Sequence, residues 1–402
     1  MGAMPGTPRE FVVSNTIRPA VFLDELMIKP PMVSKHLLIT GVTGFLGGAI
    51  LAELLGTEAA PNMSFFVRAK NKIEGLMRVQ ANLARFNVDE QKINTLSPGQ
   101  VICGDFEYLD ELEHSTRLTT VTHVINCAAL ATFSNSPKIW PVNVDGTFAF
   151  AALVHRRAKL ERFVQVGTAM SCGPNVISPV QEVWGSPADI EEHLVPYTAS
   201  KLEAEEKLRK ELPTLPLLVV RPSIIVGHTV LGCGPSGSIF WVFRMAHALK
   251  QFTCDLAECI DVVPVDYCAS ALIKLTFKAQ LKHNLYHVSA SLDSCRFDEI
   301  DLAYARAAGL SPMGKHYRKI AVDDLASLAS QCEEQLGIIN RRLLVRALKL
   351  YGAFAELNFV FDNRRLLEEG LRAPMRLVDY IDRCVVSSAE VGIQEQMASD
   401  FK

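Results

Sequence analysis

An apolar run, His36-Leu37-Leu38-Ile39-Thr40, breaks into Gly41-Val42-Thr43-Gly44-Phe45-Leu46-Gly47, three glycines at intervals of three. No other stretch constrains the fold of this chain as tightly. The run has the length of a buried strand ending at Ile39, and the apolar residues after the glycines carry a helix through Leu54. Between those elements each glycine has a separate task. Gly41 permits a tight turn, Gly44 lets backbone N–H groups reach a pyrophosphate at the helix N-terminus, and Gly47 lets the helix lie close on the strand. The spacing is GxxGxxG rather than GxGxxG, so the glycines alone also describe an ordinary strand-to-helix turn. The remainder of the chain decides between the two.

Through the first 230 residues, short apolar runs alternate with helical patterns. Strands are expected over 37–40, 64–68, 101–103, 123–126, 163–167 and 217–221, with helices over 72–86, 143–160 and 197–211. Such alternation specifies an α/β fold, a doubly wound parallel sheet that binds ligands at the carboxyl ends of its strands. After Gly227 the character changes. Gly232-Cys233-Gly234-Pro235-Ser236-Gly237-Ser238 is a flexible turn, and an apolar helix follows over 239–249. A strand pair, 261–265 and 285–288, is expected to return to the sheet, and from Val322 the pattern is helical almost to the end. The expected division is a dinucleotide-binding domain over 35–230, with returning strands near 261–290, and a smaller, mainly helical substrate-binding part over 231–260 and 291–402. Residues 1–34 read as an N-terminal extension whose first four residues resemble a cloning scar. No internal repeat or low-complexity segment is found.

Composition narrows the function. With 402 residues and 49% hydrophobic content the chain can bury a large core. A net charge of −3 provides no basic field for nucleic acid. Ten cysteines are scattered without a CxxC pair, which suits reduced thiols and a cytoplasmic protein rather than a disulfide framework. Met1–Glu10 lacks the apolar core of a signal peptide, and no apolar run reaches the ~18 residues of a spanning helix, so no integral membrane segment is expected. The mean hydropathy of +0.16 leaves room for an apolar substrate site. The histidines show no HExxH or clustered spacing, and no metal is expected.

Several residues carry the chemistry. The second strand ends Val67-Arg68-Ala69-Lys70, with Arg78 about two helical turns on. An acidic residue there would bind the ribose 2′-hydroxyl of NAD; guanidinium groups suit a 2′-phosphate, which favours NADP. Gly104-Asp105 follows the third strand, where a carboxylate can accept from an adenine amino group. Asn126-Cys127-Ala128-Ala129 follows the fourth, where small residues admit a cofactor to the backbone. Tyr197-Thr198-Ala199-Ser200-Lys201 is the catalytic candidate, since a spacing of four places the phenol and the ammonium on one helical face. A nearby cation and the NADP charge would lower the Tyr197 pKa from ~10 towards ~7 and let it exchange a proton with a reacting oxygen. Lys201 would also hold the nicotinamide ribose. Thr168, at the end of the fifth strand, is the partner hydroxyl.

Together these residues resemble the extended short-chain dehydrogenase/reductase family, over roughly Lys35 to Val288. The motifs occur in that family's order: TGVTGFLG, which includes Thr40 and Thr43, then Gly104-Asp105, NCAA, NVDGT at 143–147, the strand ending at Thr168, YTASK, and RPSIIVG, which includes Pro222 and Ser223. The resemblance implies a Rossmann sheet, and a role for Asn143 in supporting Lys201 through water. Thr168 stands where most members carry Ser and keeps the hydroxyl. Within the family the chain looks most like the male-sterility branch, the fatty acyl-CoA reductases and thioester reductase domains. Phe45-Leu46 in the glycine loop, VRAK with Arg78, Asp261–Tyr267, Phe361-Asp362-Asn363 and the lead-in over 21–31 carry this likeness. It implies NADPH-dependent reduction of an acyl thioester, on coenzyme A or a phosphopantetheine carrier protein, to an aldehyde, and leaves open a second hydride transfer to the alcohol.

The substrate end is less legible. Phe240, Trp241, Phe243, Met245 and Phe252 suit an acyl channel, although aromatic helices are more often core. Arg341, Arg342, Arg346 and Lys349 suit a solvated helix face more than a carrier-protein or membrane contact. Three alternatives stay open: a reductase of simple ketones or aldehydes, a nucleotide-sugar epimerase or dehydratase, and a non-catalytic NADP sensor. The intact Tyr197/Lys201 pair argues against the sensor, and Arg68 against the epimerase.

Overall fold

The computed structural model describes residues 35–57, 60, 62–132, 136–186, 189–337 and 340–400; the N-terminal extension and its lead-in over 21–31 lie outside the described residues. Seven parallel strands form the central sheet: β1 (His36–Thr40), β2 (Asn62–Val67), β3 (Val101–Cys103), β4 (His123–Asn126), β5 (Arg162–Val166), β6 (Leu217–Pro222) and β7 (Leu285–Val288). Their order is β7-β6-β5-β4-β1-β2-β3. The order reverses between β1 and β4, where Thr40 lies opposite Asn126, and a crevice opens there beyond the carboxyl ends.

Apolar side chains cover both faces, which is why the strands read as continuous apolar runs rather than alternating ones. Within β1, Leu37 and Ile39 join one core and Leu38 the other. The first core takes its cover from α1 (Phe45–Gly56), α2 (Lys72–Ala84) and α6 (Val265–Phe277). The second is rich in phenylalanine (Phe66, Phe106, Phe150, Phe163) and is covered by α3 (Thr147–Arg157) and α4 (Pro196–Glu211). The helix expected from residue 143 opens instead as a π-turn, Pro141–Gly146, that runs into α3. Of the returning pair, Leu285–Val288 joins the sheet beside β6. The other member does not: Val262–Val263 pairs with Ile224–Ile225 in a separate two-stranded ribbon.

A helical C-terminal part builds its own apolar clusters. Trp241 and Met245 of α5 (Phe240–Leu249) pack with Leu344, Leu348 and Tyr351 of α8 (Arg341–Glu356). Ile300 and Ala303 of α7 (Phe297–Ala308) pack with Leu377, Tyr380 and Ile381 of α9 (Leu377–Ser387). All ten cysteines are free thiols. Among the described residues no helix is long and apolar enough to cross a membrane.

Candidate active site

The glycine loop is held by backbone sterics. Gly41 has φ +70°, and a Cβ on it would sit 2.8 Å from the Ala128 nitrogen. A Cβ on Gly47 would sit 2.3 Å from the Gly41 oxygen, so α1 can approach the turn only because Gly47 has no side chain. At Gly44 a Cβ would meet only the Gly41 oxygen, at 3.2 Å, and the space beyond it is open. Gly44 is also the N-cap of α1, and no side chain satisfies the first N–H groups of that helix. A glycine cradle facing uncapped N–H groups fits a dinucleotide pyrophosphate. Asn82 of α2 completes the loop from below, its Nδ2 donating to the carbonyls of Val42 at 2.9 Å and Gly44 at 3.0 Å. Sequence reasoning missed it; the signal was a polar residue on the otherwise apolar face of Leu76, Val79 and Leu83.

One cavity of about 720 Å³ runs from this loop across the crevice. Gly41, Thr43, Gly44, Phe45, Leu46 and Gly47 line it, with Arg68, Arg78, Gly104, Asp105, Ala128, Ala129, Pro222 and Ser223. Arg78 donates to the Arg68 carbonyl, so the two arginines stand together at the end of β2. Four of the expected cofactor residues lie off the cavity wall or make hydrogen bonds within the protein. Thr40 and Asn126 are fully buried and do not line the cavity. Thr40 donates to Asn126 and accepts from the Ala128 nitrogen, while Asn126 donates to Gln165, a chain of bonds that ties β1, β4 and β5. Lys70 is exposed, outside the lining, and its backbone N–H donates to Glu74. Asp105 does line the cavity, but its Oδ1 accepts from the Glu107 and Tyr108 nitrogens and caps its own turn.

Thr168, Tyr197 and Lys201 border the middle of the cavity. Thr168 caps the short turn Ala169–Cys172 at the carboxyl end of β5. Pro196 occupies the first turn of α4, where its missing N–H costs nothing, and sets Tyr197 at the helix start. Burial pushes the Tyr197 phenol up to about 12, the reverse of the lowering expected from the sequence. Desolvation of the phenolate by burial is the cause. Burial also lowers Lys201, to about 8, against the pull of the Glu205 carboxylate. Asn143 is buried and off the cavity wall; its amide bonds Leu130 at both backbone atoms and donates to the Ser200 hydroxyl at 3.0 Å. It therefore braces α4 one residue before Lys201.

Glu205, one turn beyond Lys201, was not singled out in the sequence. It is completely buried, and its Oε2 accepts from the Arg221 Nε at 2.9 Å and Nη2 at 2.6 Å. Its other oxygen has no hydrogen-bond partner among the described residues and faces Gly167, where a Cβ would lie 2.0 Å away. Cys127 and Cys254 also line the cavity, but burial pushes their thiols up to about 12 and about 11 and keeps both protonated.

Beyond Thr168 the wall becomes apolar and aromatic. Ile239, Val242, Phe243, Phe252, Ile260 and Phe354 contribute, from α5, α8 and the loops between. The aromatic group thus divides: Phe243 of α5 lines the cavity, Phe252 just beyond the helix lines it and joins the core, and Phe240, Trp241 and Met245 are core. Arg341, Arg342, Arg346 and Lys349 lie on the exposed face of α8.

A family model described as male sterility protein matches residues 39–272. The chain belongs to the male sterility protein family. A non-canonical nonribosomal peptide synthetase of Aspergillus hancockii is 26% identical over 62% of the chain and 26% of its own length. A putative fatty acyl-CoA reductase of Drosophila melanogaster is 26% identical over 58% of the chain and 50% of its own length. The chain thus spans about a quarter to a half of the length of these relatives. Among solved structures, the terminal R domain from the myxalamid PKS-NRPS biosynthetic pathway superposes with a TM-score of 0.71 at 22% identity, covering 90% of this chain and 93% of that one. The fold is that of the extended reductase domains, and the family supports an oxidoreductase with a nicotinamide cofactor.

Proposed function

We propose that the chain reduces an acyl thioester to the aldehyde with NADPH. The observation that carries this reading is the single cavity, which joins the glycine cradle, the Thr168/Tyr197/Lys201 group and an apolar acyl end. The uncapped N–H groups at Gly44 would hold the cofactor pyrophosphate, and Arg68 with Arg78 its 2′-phosphate. NADPH, when bound, supplies the hydride. Thr168 and Tyr197 donate to the thioester carbonyl oxygen as it gains negative charge, which stabilises the transition state more than the neutral ground state. A phenol pushed up to about 12 stays protonated at neutral pH and has a proton to give to that oxygen. Lys201 orients beside it, braced through Ser200 by Asn143. The resulting hemithioacetal loses its C–S bond and leaves as aldehyde and free thiol, with no enzyme thiol required. The relatives' names, an acyl-CoA reductase and a peptide synthetase, support a thioester carried by coenzyme A or a phosphopantetheine arm. The test follows NADPH absorbance against acyl thioesters, the matching aldehydes and simple ketones. Thioester-dependent oxidation is expected; oxidation with ketones alone would move the chain to the simple carbonyl reductases.

A further inference from the structure

Polar side chains are scarce at the acyl end, and two of them are bonded to each other. His247 of α5 and Asp301 of α7 both border the cavity, yet they are only 7% and 6% exposed. The His247 Nδ1 lies 2.8 Å from Asp301 Oδ1, and Asp301 Oδ2 accepts from the Met313 nitrogen at 2.8 Å. Around them stand Phe243, Phe252, Ile300 and the Tyr304 ring, whose centroid is 4.8 Å from that of His247. A carboxylate has no hydrogen to donate, so of the two imidazole tautomers the one with its proton on Nδ1 fits this contact, and that tautomer presents Nε2 as an acceptor. No hydrogen bond to Nε2 is formed among the described residues. Nε2 is not one of the fully buried unpaired atoms, and on this cavity-lining residue a ligand that brings a donor can pair with it.

We propose that His247, oriented by Asp301, selects acyl groups that carry a neutral hydrogen-bond donor, a hydroxyl or an amide N–H, over plain hydrocarbon chains. This rests on the acyl-thioester reading for the identity of the ligand. An added carboxylate is disfavoured, because the Asp301 charge already sits in the same apolar wall. The pair thereby supplies what apolar contacts alone cannot, since a hydrocarbon wall discriminates poorly between chains of similar shape.

The test uses non-reducible thioethers, so that binding is read without turnover. S-octyl pantetheine, its hydroxyoctyl, acylaminoalkyl and methoxyoctyl counterparts, each with the substituent moved along the chain, are titrated calorimetrically into the NADPH-saturated protein. The hydroxyl or the amide analogue is expected to bind about tenfold more tightly than the plain alkyl one at the matching position. Which of the two does so identifies the source of the donor. His247→Phe should reduce the difference to about twofold or less. Asp301→Asn is the near-isosteric check. Its carbonyl oxygen stays with the Met313 N–H and its NH₂ faces Nδ1, so Nε2 becomes a donor; hydroxyl and methoxy oxygens both accept from it, and the hydroxyl-over-methoxy preference is lost as the methoxy analogue gains affinity. Equal binding of all analogues, no binding of any, or a donor preference that survives either substitution overturns the proposal. Thioester reduction is assayed in parallel. The binding pattern without reduction contradicts the reductase reading alone, and reduction without the pattern contradicts this inference alone.

Discussion

The two ends of the cavity are built in opposite ways. At the cofactor end the backbone does the shaping: consecutive residues from Gly41 to Gly47 form the cradle, and a single methyl group at Gly47 would overlap the Gly41 oxygen. At the acyl end side chains do the shaping, drawn from residues as far apart as Phe243, Phe297 and Phe354. Local backbone geometry leaves a signature in a short sequence window, and a wall assembled from distant helices does not. The same contrast predicts how each end responds to change. The cofactor end should fail abruptly, and the acyl end should adjust by degrees.

The largest effect belongs to the junction between them. Tyr197→Phe should lower kcat by ~10²–10⁴-fold while leaving the NADPH Kd within about twofold, measured by steady-state kinetics beside a fluorescence titration. A small loss of kcat would remove the junction from the chemistry. Gly47→Ala should weaken NADPH binding by about a hundredfold or more, through displacement of α1 from the turn. Gly56→Ala, on the same helix with no atom within 4 Å of its Cβ, is the control and should leave binding unchanged. Arg68→Ala should raise the Kd for NADPH by about tenfold to a hundredfold and that for NADH by about twofold or less. Equal losses would sink the 2′-phosphate assignment.

Acid–base behaviour gives a graded test. Burial lowers the folded Lys201 pKa to about 8, so its ammonium is present below that pH and lost above it. If the ammonium supports Tyr197, kcat/KM should fall about tenfold per pH unit above about 8, and a flat profile to pH 10 would contradict that role. The smallest change is expected at the acyl end. Phe243→Ala should raise KM for long-chain thioesters by about threefold to tenfold, with the NADPH Kd unaltered. An equal loss of cofactor affinity would erase the distinction between the two ends.

Much of the glycine-loop end of the cavity was legible in the residues. The third and fourth strands fall at 101–103 and 123–126 as expected, and most of the glycine loop, both arginines, Thr168, Tyr197 and Lys201 meet at one cavity. What escaped shares a physical cause. Asn82, Glu205 and the His247–Asp301 pair are ordinary helix residues until the fold buries them, and burial depends on partners far along the chain. Val262–Val263 reads as a sheet strand by composition, but its partner is the ribbon at Ile224–Ile225 rather than β6. The Tyr197 pKa went the other way because sequence shows the neighbouring charge and not the desolvation.

The central claim is that one cavity brings a dinucleotide and an acyl thioester together at Thr168 and Tyr197. Its most direct test measures free thiol and NADPH consumption together, with acyl-pantetheine thioesters as substrate and Tyr197→Phe as control. One thiol released for each one or two NADPH oxidised, abolished by the substitution, is the predicted result. NADPH oxidation without thiol release, or thiol release without NADPH, would contradict it.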